Sequence, residues 1–183
     1  MNDARKLTTI SKFLSLTLRH RPELIGLALD QAGWASVDEL LARAAANGRA
    51  ISRPQLDAVV ADSDKRRFAF SEDGSRIRAN QGHTVAVDLE LPVLAPPAEL
   101  FHGTATRFID SIRRTGLDRR SRHHVHLTEN RETALRVGAR YGLPVLLCID
   151  ARAMASAGHL FRKSENDVWL VDAVPPAYLR ELA

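Results

Sequence analysis

Cysteine, lysine and aromatic residues are scarce in this 183-residue chain. The one cysteine, Cys148, stands in the apolar run Val145, Leu146, Leu147, Cys148, Ile149. That run reads as core, and it lacks the electropositive, partly exposed setting that activates a thiol, so a cysteine nucleophile is not expected. No apolar run reaches the length of a membrane span, and the opening MNDARKLTTISKF has no continuous apolar core of a secretory signal. A soluble, cytoplasmic protein is therefore expected, with no membrane partner. There is no Walker loop, no strand–GxGxxG–helix unit and no Gly-x-Ser-x-Gly elbow, which removes the usual support for an NTPase, a dehydrogenase or a serine hydrolase.

Hydrophobic residues make up 45% of the chain, enough for one substantial domain or two small ones. The formal charge is +4 and the pI near 9.7, which favours polyanionic partners. The kind of base is more telling: 22 of the 26 basic residues are arginine, whose planar fork grips phosphate through two parallel hydrogen bonds. Lys65, Arg66, Arg67, Arg76 and Arg78 crowd one stretch, and Arg113, Arg114, Arg119, Arg120 and Arg122 another. Residues 1 to 90 carry 13 basic against 12 acidic side chains and residues 91 to 183 carry 13 against 10, so any anion site is local and neither half is a basic tail.

Apolar residues at Ile10, Phe13, Leu14 and Leu18 predict a first helix that Pro22 stops just after Arg21, leaving Arg19 and His20 on its last turn. Ser36-Val37-Asp38-Glu39 is a capping box that opens a second helix closing at Asn47-Gly48, and Ser52-Arg53-Pro54-Gln55 opens a third. Two extended stretches, Arg67 to Ser71 and Arg76 to Ala79, flank the turn Glu72 to Ser75. Three helices and a hairpin follow the order of a winged-helix domain over residues 1–90. Three prolines in residues 91–97 predict a stiff linker, and residues 98–183 a second domain of mixed character. In it, a strand from Leu100 to Thr104 precedes a helix around Phe108, Ile109 and Ile112 that ends at Gly116. Further strands are expected at His124 to Leu127, Val145 to Asp150, His159 to Lys163 and Val168 to Val174, with one helix from Glu132 to Tyr141. The fold class expected is α+β.

Arg19-His20-Arg21 has an electrostatic reading, cations complementing the negative end of a helix, and a chemical one, an arginine clamp on phosphate beside a histidine that can pass a proton. Ile77 to His83 is either a polar turn or a set of nucleic-acid contacts from Arg78, Asn80, Gln81 and His83. In Phe101-His102-Gly103-Thr104 the glycine permits close approach of a ligand to the backbone. His124 and His126 share a strand face in Arg122 to Leu127, yet no carboxylate or cysteine stands at a spacing that completes a metal site, so no metal is expected.

Taken together these segments resemble the RNA 2′-phosphotransferase family of KptA-type enzymes. The resemblance is carried by Leu14 to His20, Gly33-Trp34, Lys65 to Phe68, Ile77 to His83, His102-Gly103-Thr104, Arg122 to Leu127 and Asn166 to Leu170, in order over nearly the whole chain. It implies an N-terminal winged-helix lobe that holds RNA and a C-terminal ADP-ribosyltransferase-like lobe that holds NAD as co-substrate. The family's catalytic set falls on Arg19, His20, Arg67 and Arg122. His102 and His126 take the first two places of the NAD-recognising trio, with Val168 where many relatives in the wider superfamily carry glutamate; Gly103, Thr104 and Arg140 are implied further NAD contacts. The reaction implied has two steps. An RNA 2′-phosphate displaces nicotinamide from NAD, and the ribose 2″-hydroxyl then attacks phosphorus, giving 2′-hydroxyl RNA and ADP-ribose 1″,2″-cyclic phosphate. A tRNA-like splice junction is the RNA expected, and a monomer the expected state. Two other functions are carried alongside it: an ADP-ribosyltransferase that modifies terminal phosphates of RNA or DNA, and a non-enzymatic winged-helix DNA-binding regulator.

Overall fold

Ile10, Phe13, Leu14 and Leu18 are all buried on one face of α1 (Asp3–Arg19), as their helical spacing dictates. The structure, a computed structural model, describes residues 3–61 and 66–182; Lys65 of the basic stretch lies outside them. The amides of His20 and Arg21 both close on the Leu16 carbonyl, at 3.1 and 2.8 Å, and a short 3-10 turn, Pro22–Ile25, leads the chain away. Next come β1 (Ala35–Ser36) and α2 (Val37–Ala46), capped by the Ser36 hydroxyl accepting from the Glu39 amide. The Glu39 carboxylate pairs with Arg43 at 3.5 Å. The reciprocal box forms instead at α3 (Arg53–Ala61), where Gln55 donates its amide to the Ser52 hydroxyl and accepts from the Ser52 amide.

β2 (Phe68–Phe70) and β3 (Arg76–Ala79) make the expected hairpin, narrower at its first strand than Arg67 to Ser71. Its turn is organised by Asp73, which accepts from Ser71 and Ser75; these hydrogen bonds hold its carboxyl well below the usual carboxylate range. The sheet order is β1-β3-β2, all antiparallel, with Ala35 opposite Ile77 and Phe68 opposite Ala79. α1 to α3 and this sheet enclose one core that includes Leu14, Leu40, Leu56 and Ile77. By its internal contacts the chain divides into two units, Met1–Glu90 and Leu91–Ala183.

The proline-rich stretch 91–97 is bonded into the second unit. Val93 forms a bridge with Arg162, and the Leu94 amide donates to the Phe161 carbonyl at 2.9 Å. The elements that follow are β4 (Glu99–Ala105), α4 (Ile109–Thr115), β5 (Leu117–Asp118), β6 (Val125–Leu127), α5 (Arg131–Gly138), β7 (Pro144–Asp150) and α6 (Ala151–Ser156). The last four are β8 (Arg162–Lys163), β9 (Trp169–Val171), β10 (Ala173–Val174) and β11 (Leu179–Leu182). They form sheets β11-β7-β4 and β6-β9-β8 and the pair β10-β5, all antiparallel. The unit is thus mixed α/β. Of the strand expected from His159 to Lys163 only the last two residues pair, and Asp172 separates β9 from β10 where one run was expected.

Side chains alternate along β4, so Phe101 and Gly103 share the face that packs on α5 while His102 and Thr104 share the other. A Cβ on Gly103 would lie 1.6 Å from the Ala134 carbonyl oxygen, and one on Gly138 would lie 2.5 Å from that of Thr104. The close approach that Gly103 permits is therefore to the backbone of α5, and not to a ligand. Gly103→Ala is expected to force α5 off the sheet at a cost of at least about 2 kcal/mol. A thermal melt checks this: Tm should fall by roughly 10 °C.

Candidate functional site

In the first unit the end of α1 and the start of β2 meet. The Arg19 guanidinium passes 5.7 Å from the Phe68 ring and donates from Nη2 to the Arg67 carbonyl at 3.2 Å. Its own helix end is closed by other groups: the amides of Thr84 and Val85 donate to the Arg19 carbonyl at 2.8 and 3.3 Å. The cap that the sequence offered as an explanation for Arg19 is thus supplied by the chain after the hairpin. His20 is held by the same segment, its Nδ1 lying 3.1 Å from the Thr84 hydroxyl. That hydroxyl is itself directed at the Arg19 carbonyl, 3.4 Å away, an arrangement that suits Nδ1–H as the donor to it.

Asn80 fixes Arg67. Its side-chain amide donates to the Arg66 carbonyl at 2.7 Å and its backbone amide to the Arg67 carbonyl at 2.9 Å, holding Arg66 at a φ of +27° that an L residue seldom adopts. The Arg67 guanidinium reaches the Ser11 hydroxyl of α1 at 3.4 Å. Arg19, His20 and Arg67 are therefore brought together, around a groove of about 580 Å³ between α1 and α3 that His20 and Arg67 both line.

The four candidate RNA contacts divide. Asn80 and His83 are buried, Asn80 on the Arg66-Arg67 main chain and His83 beside Gly33, so both shape the hairpin from within. Arg78 and Gln81 keep partial exposure. The Arg78 guanidinium lies over the Trp34 ring at 4.5 Å and that of Arg76 at 5.4 Å, so one indole supports both cations.

In the second unit Phe101 and Thr128 exchange backbone hydrogen bonds at 2.8 and 3.0 Å, which brings β4 to the end of β6. As a result the His102 Nδ1 lies 3.0 Å from the His126 carbonyl and must carry the proton, leaving Nε2 as an acceptor. Arg122 Nη1 donates to the His126 Nδ1 at 2.9 Å, so His126 carries its proton on Nε2. Arg122, His126 and His102 form one chain of contacts. Thr104 is buried on the same face of β4 as His102, whereas Arg140 lies exposed on the 3-10 turn Ala139–Tyr141 that ends α5. Among the described residues no cluster of three or more His, Cys, Asp or Glu could hold a metal, and no helix is long and apolar enough to cross a membrane.

Burial, and then the nearby Arg122 charge, pull the His102 pKa below 6.5, while the bond to the His126 carbonyl pulls the other way. A base whose pKa is lower in the folded state binds fewer protons there than in the unfolded chain. Stability is then complete above 6.5 and falls as pH drops from 6.5 through the lowered value. Thermal melts from pH 8 to pH 5 should show this acid loss, and His102→Gln should reduce it.

A model of the RNA 2′-phosphotransferase, Tpt1/KptA family matches residues 5–173, a span that takes in both units and every candidate residue. The chain belongs to this family. Among Tpt1/KptA relatives, a protein of Streptomyces griseus named Probable RNA 2′-phosphotransferase is 58% identical over 184 residues, covering 97% of each chain. One of the same name from Pseudomonas aeruginosa is 58% identical over 180 residues, covering 98% of this chain and 99% of its own. A third, from Nostoc punctiforme, is 53% identical over 182 residues and covers both chains in full. Two contributors to the site in this Tpt1/KptA chain were not singled out from the sequence. Thr84 is a lone hydroxyl after a turn, and Gly138 is a glycine inside a helix, an unfavourable choice that signals a packing contact.

Proposed function

We propose that this protein is an NAD-dependent RNA 2′-phosphotransferase. The observation that carries the reading is the contact of Arg122 with His126, because it couples an arginine to the histidine pair in an arrangement that suits a nucleotide and a phosphate together. In the first unit, the order α1-β1-α2-α3-β2-β3 and the sheet β1-β3-β2 support a winged-helix lobe for RNA. The second unit is read as an ADP-ribosyltransferase-like lobe. Its His102 offers an acceptor nitrogen and its His126 an N–H, a combination that fits the vicinal hydroxyls of the NAD ribose. Thr104 lies on the same face as His102 and extends that surface; Arg140 is assigned to the NAD phosphates. Gly103 contributes by letting β4 and α5 pack closely.

In the first step the RNA 2′-phosphate displaces nicotinamide, which departs neutral and needs no acid. Arg19 and Arg67 are assigned to that phosphate, and the family resemblance assigns Arg122 to it as well; each supplies charge that balances its own. In the second step the ribose 2″-hydroxyl attacks phosphorus. Charge grows on the phosphoryl oxygens, where the same arginines act, and on the departing RNA oxygen, to which His20 delivers a proton. Arg78 and Gln81 contact the RNA, while Asn80 and His83 set the shape of the segment that presents them. The helix α3 argues against a DNA-reading role, since its Arg53 is paired with Asp57 at 2.8 Å and stacked on Phe70.

The test is incubation of 2′-phosphorylated RNA with NAD. Nicotinamide release with formation of ADP-ribose 1″,2″-cyclic phosphate is the expected result. An RNA–ADP-ribose adduct that never resolves would replace this function with phosphate ADP-ribosylation, and no nicotinamide release would remove both.

A further inference from the structure

The groove between α1 and α3 reaches well beyond His20 and Arg67, and its far end has no part in the chemistry above. Two ridges of α1, each of residues four apart, run along it: Thr8, Lys12, Leu16 and His20 on one, Ser11 and Ser15 leading to Arg19 on the other. One ridge ends on His20, assigned to the departing RNA oxygen, and the other on Arg19, assigned to the phosphate. At 1.5 Å per residue Lys12 lies about 12 Å along the helix from His20. Between them Leu16 is 39% exposed, and Leu7, Ala58 and Val59 complete an apolar floor.

Charge decides what this floor suits. The lining carries Lys12, His20 and Arg67 and, among the described residues, no carboxylate. Lys12 is exposed on the rim of the groove, and among the described residues it makes no ion pair. The Ser11 hydroxyl, which accepts from Arg67, joins the cationic end to the wall of the groove. An apolar strip edged by hydroxyls and cations matches a single nucleotide, with its sugar and base on the strip and its phosphodiester at the edge.

We infer that the groove is a subsite for a nucleotide flanking the 2′-phosphorylated one, with Lys12 on its phosphodiester and Leu16 beneath its sugar or base. The inference rests on the first unit being the RNA-holding one. A strand laid this way gains affinity from its neighbouring nucleotide, and the site then distinguishes an internal 2′-phosphate from a free nucleotide 2′-phosphate.

The test is fluorescence anisotropy with labelled oligoribonucleotides that carry one 2′-phosphate, from a dinucleotide upward, over a range of salt and without NAD. Lys12→Ala is expected to weaken binding of the longer RNAs about tenfold. It should also lower the slope of log K against log salt by about 0.7, the share of one phosphate contact on a single strand. Lys12→Arg should restore the slope. Lys6→Ala, an exposed cation of α1 outside the groove, should leave it unchanged. An unaltered slope in Lys12→Ala, or an equal loss in Lys6→Ala, would overturn the subsite even if the wild type releases nicotinamide. A Lys12-dependent slope without nicotinamide release would support the subsite and sink the proposed reaction.

Discussion

Arg19→Ala is expected to cut the rate of nicotinamide release by two to three orders of magnitude, on the order of 3 kcal/mol of transition-state stabilisation, by comparison with loss of an oxyanion donor. Its fold should survive. The Arg67 carbonyl that accepts from Arg19 Nη2 also accepts from the Asn80 amide at 2.9 Å, and that bond remains. Losing one such bond costs about 1 kcal/mol, and the carbonyls at the end of α1 keep their cap from Thr84 and Val85. A large kinetic loss with a small change in Tm therefore separates phosphate binding from structure. Arg19→Lys should recover only part of the rate, because an ammonium restores charge without the fork. Arg67→Ala and Arg122→Ala are expected to show losses of the same order. Single-turnover release of nicotinamide from saturating NAD is the measurement, and a folded Arg19→Ala protein within tenfold of wild type would defeat the assignment.

How far the site could be read in the sequence depends on the range of the interaction that builds it. Ile10, Phe13, Leu14 and Leu18 define α1 by local periodicity, and Ser52 with Gln55 define the start of α3 by a contact three residues long. Both are visible in a short window. β1 is not, because Ala35 and Ser36 become a strand only through pairing with Ile77 and Arg76 some forty residues away. α6 was missed for a different reason. Its alanine-rich turn is opened by Asp150 accepting from the Ala153 amide, a signal present in the sequence but adjoining a strand that ends on the same residue. Asn80 shows the limit most clearly. Its polarity suggested a ligand contact, whereas its side chain is spent on the Arg66 carbonyl, fourteen positions back in the chain. Gly103 likewise looked like an opening for a ligand and is filled by the backbone of α5. The candidate arginines and histidines were singled out through the family resemblance, whereas Thr84 and Gly138, which contact or pack beside them, carry no such signal.

His20→Ala is expected to separate the two steps. Nicotinamide release needs no proton donor, so it should continue at a rate near that of wild type, while conversion of the RNA–ADP-ribose adduct to cyclic phosphate should slow by 10²- to 10⁴-fold, the usual weight of a positioned acid. The adduct then accumulates and can be resolved from RNA on a denaturing gel. The helix end that presents His20 should be little affected, because the Thr84 amide keeps its 2.8 Å bond to the Arg19 carbonyl whether or not the imidazole is present. Added imidazole should restore part of the second step in His20→Ala and none of the activity in Arg19→Ala, which lacks a charge clamp and not a proton. Thr84→Ala offers an intermediate case: it leaves the ring in place but removes the hydroxyl 3.1 Å from Nδ1 that sets its tautomer and angle. That variant should slow the second step about tenfold, less than loss of the ring itself, and should leave the first step alone. Equal loss of both steps in His20→Ala would mean that the histidine acts on the phosphate from the outset, alongside Arg19, and carries no proton to the leaving oxygen.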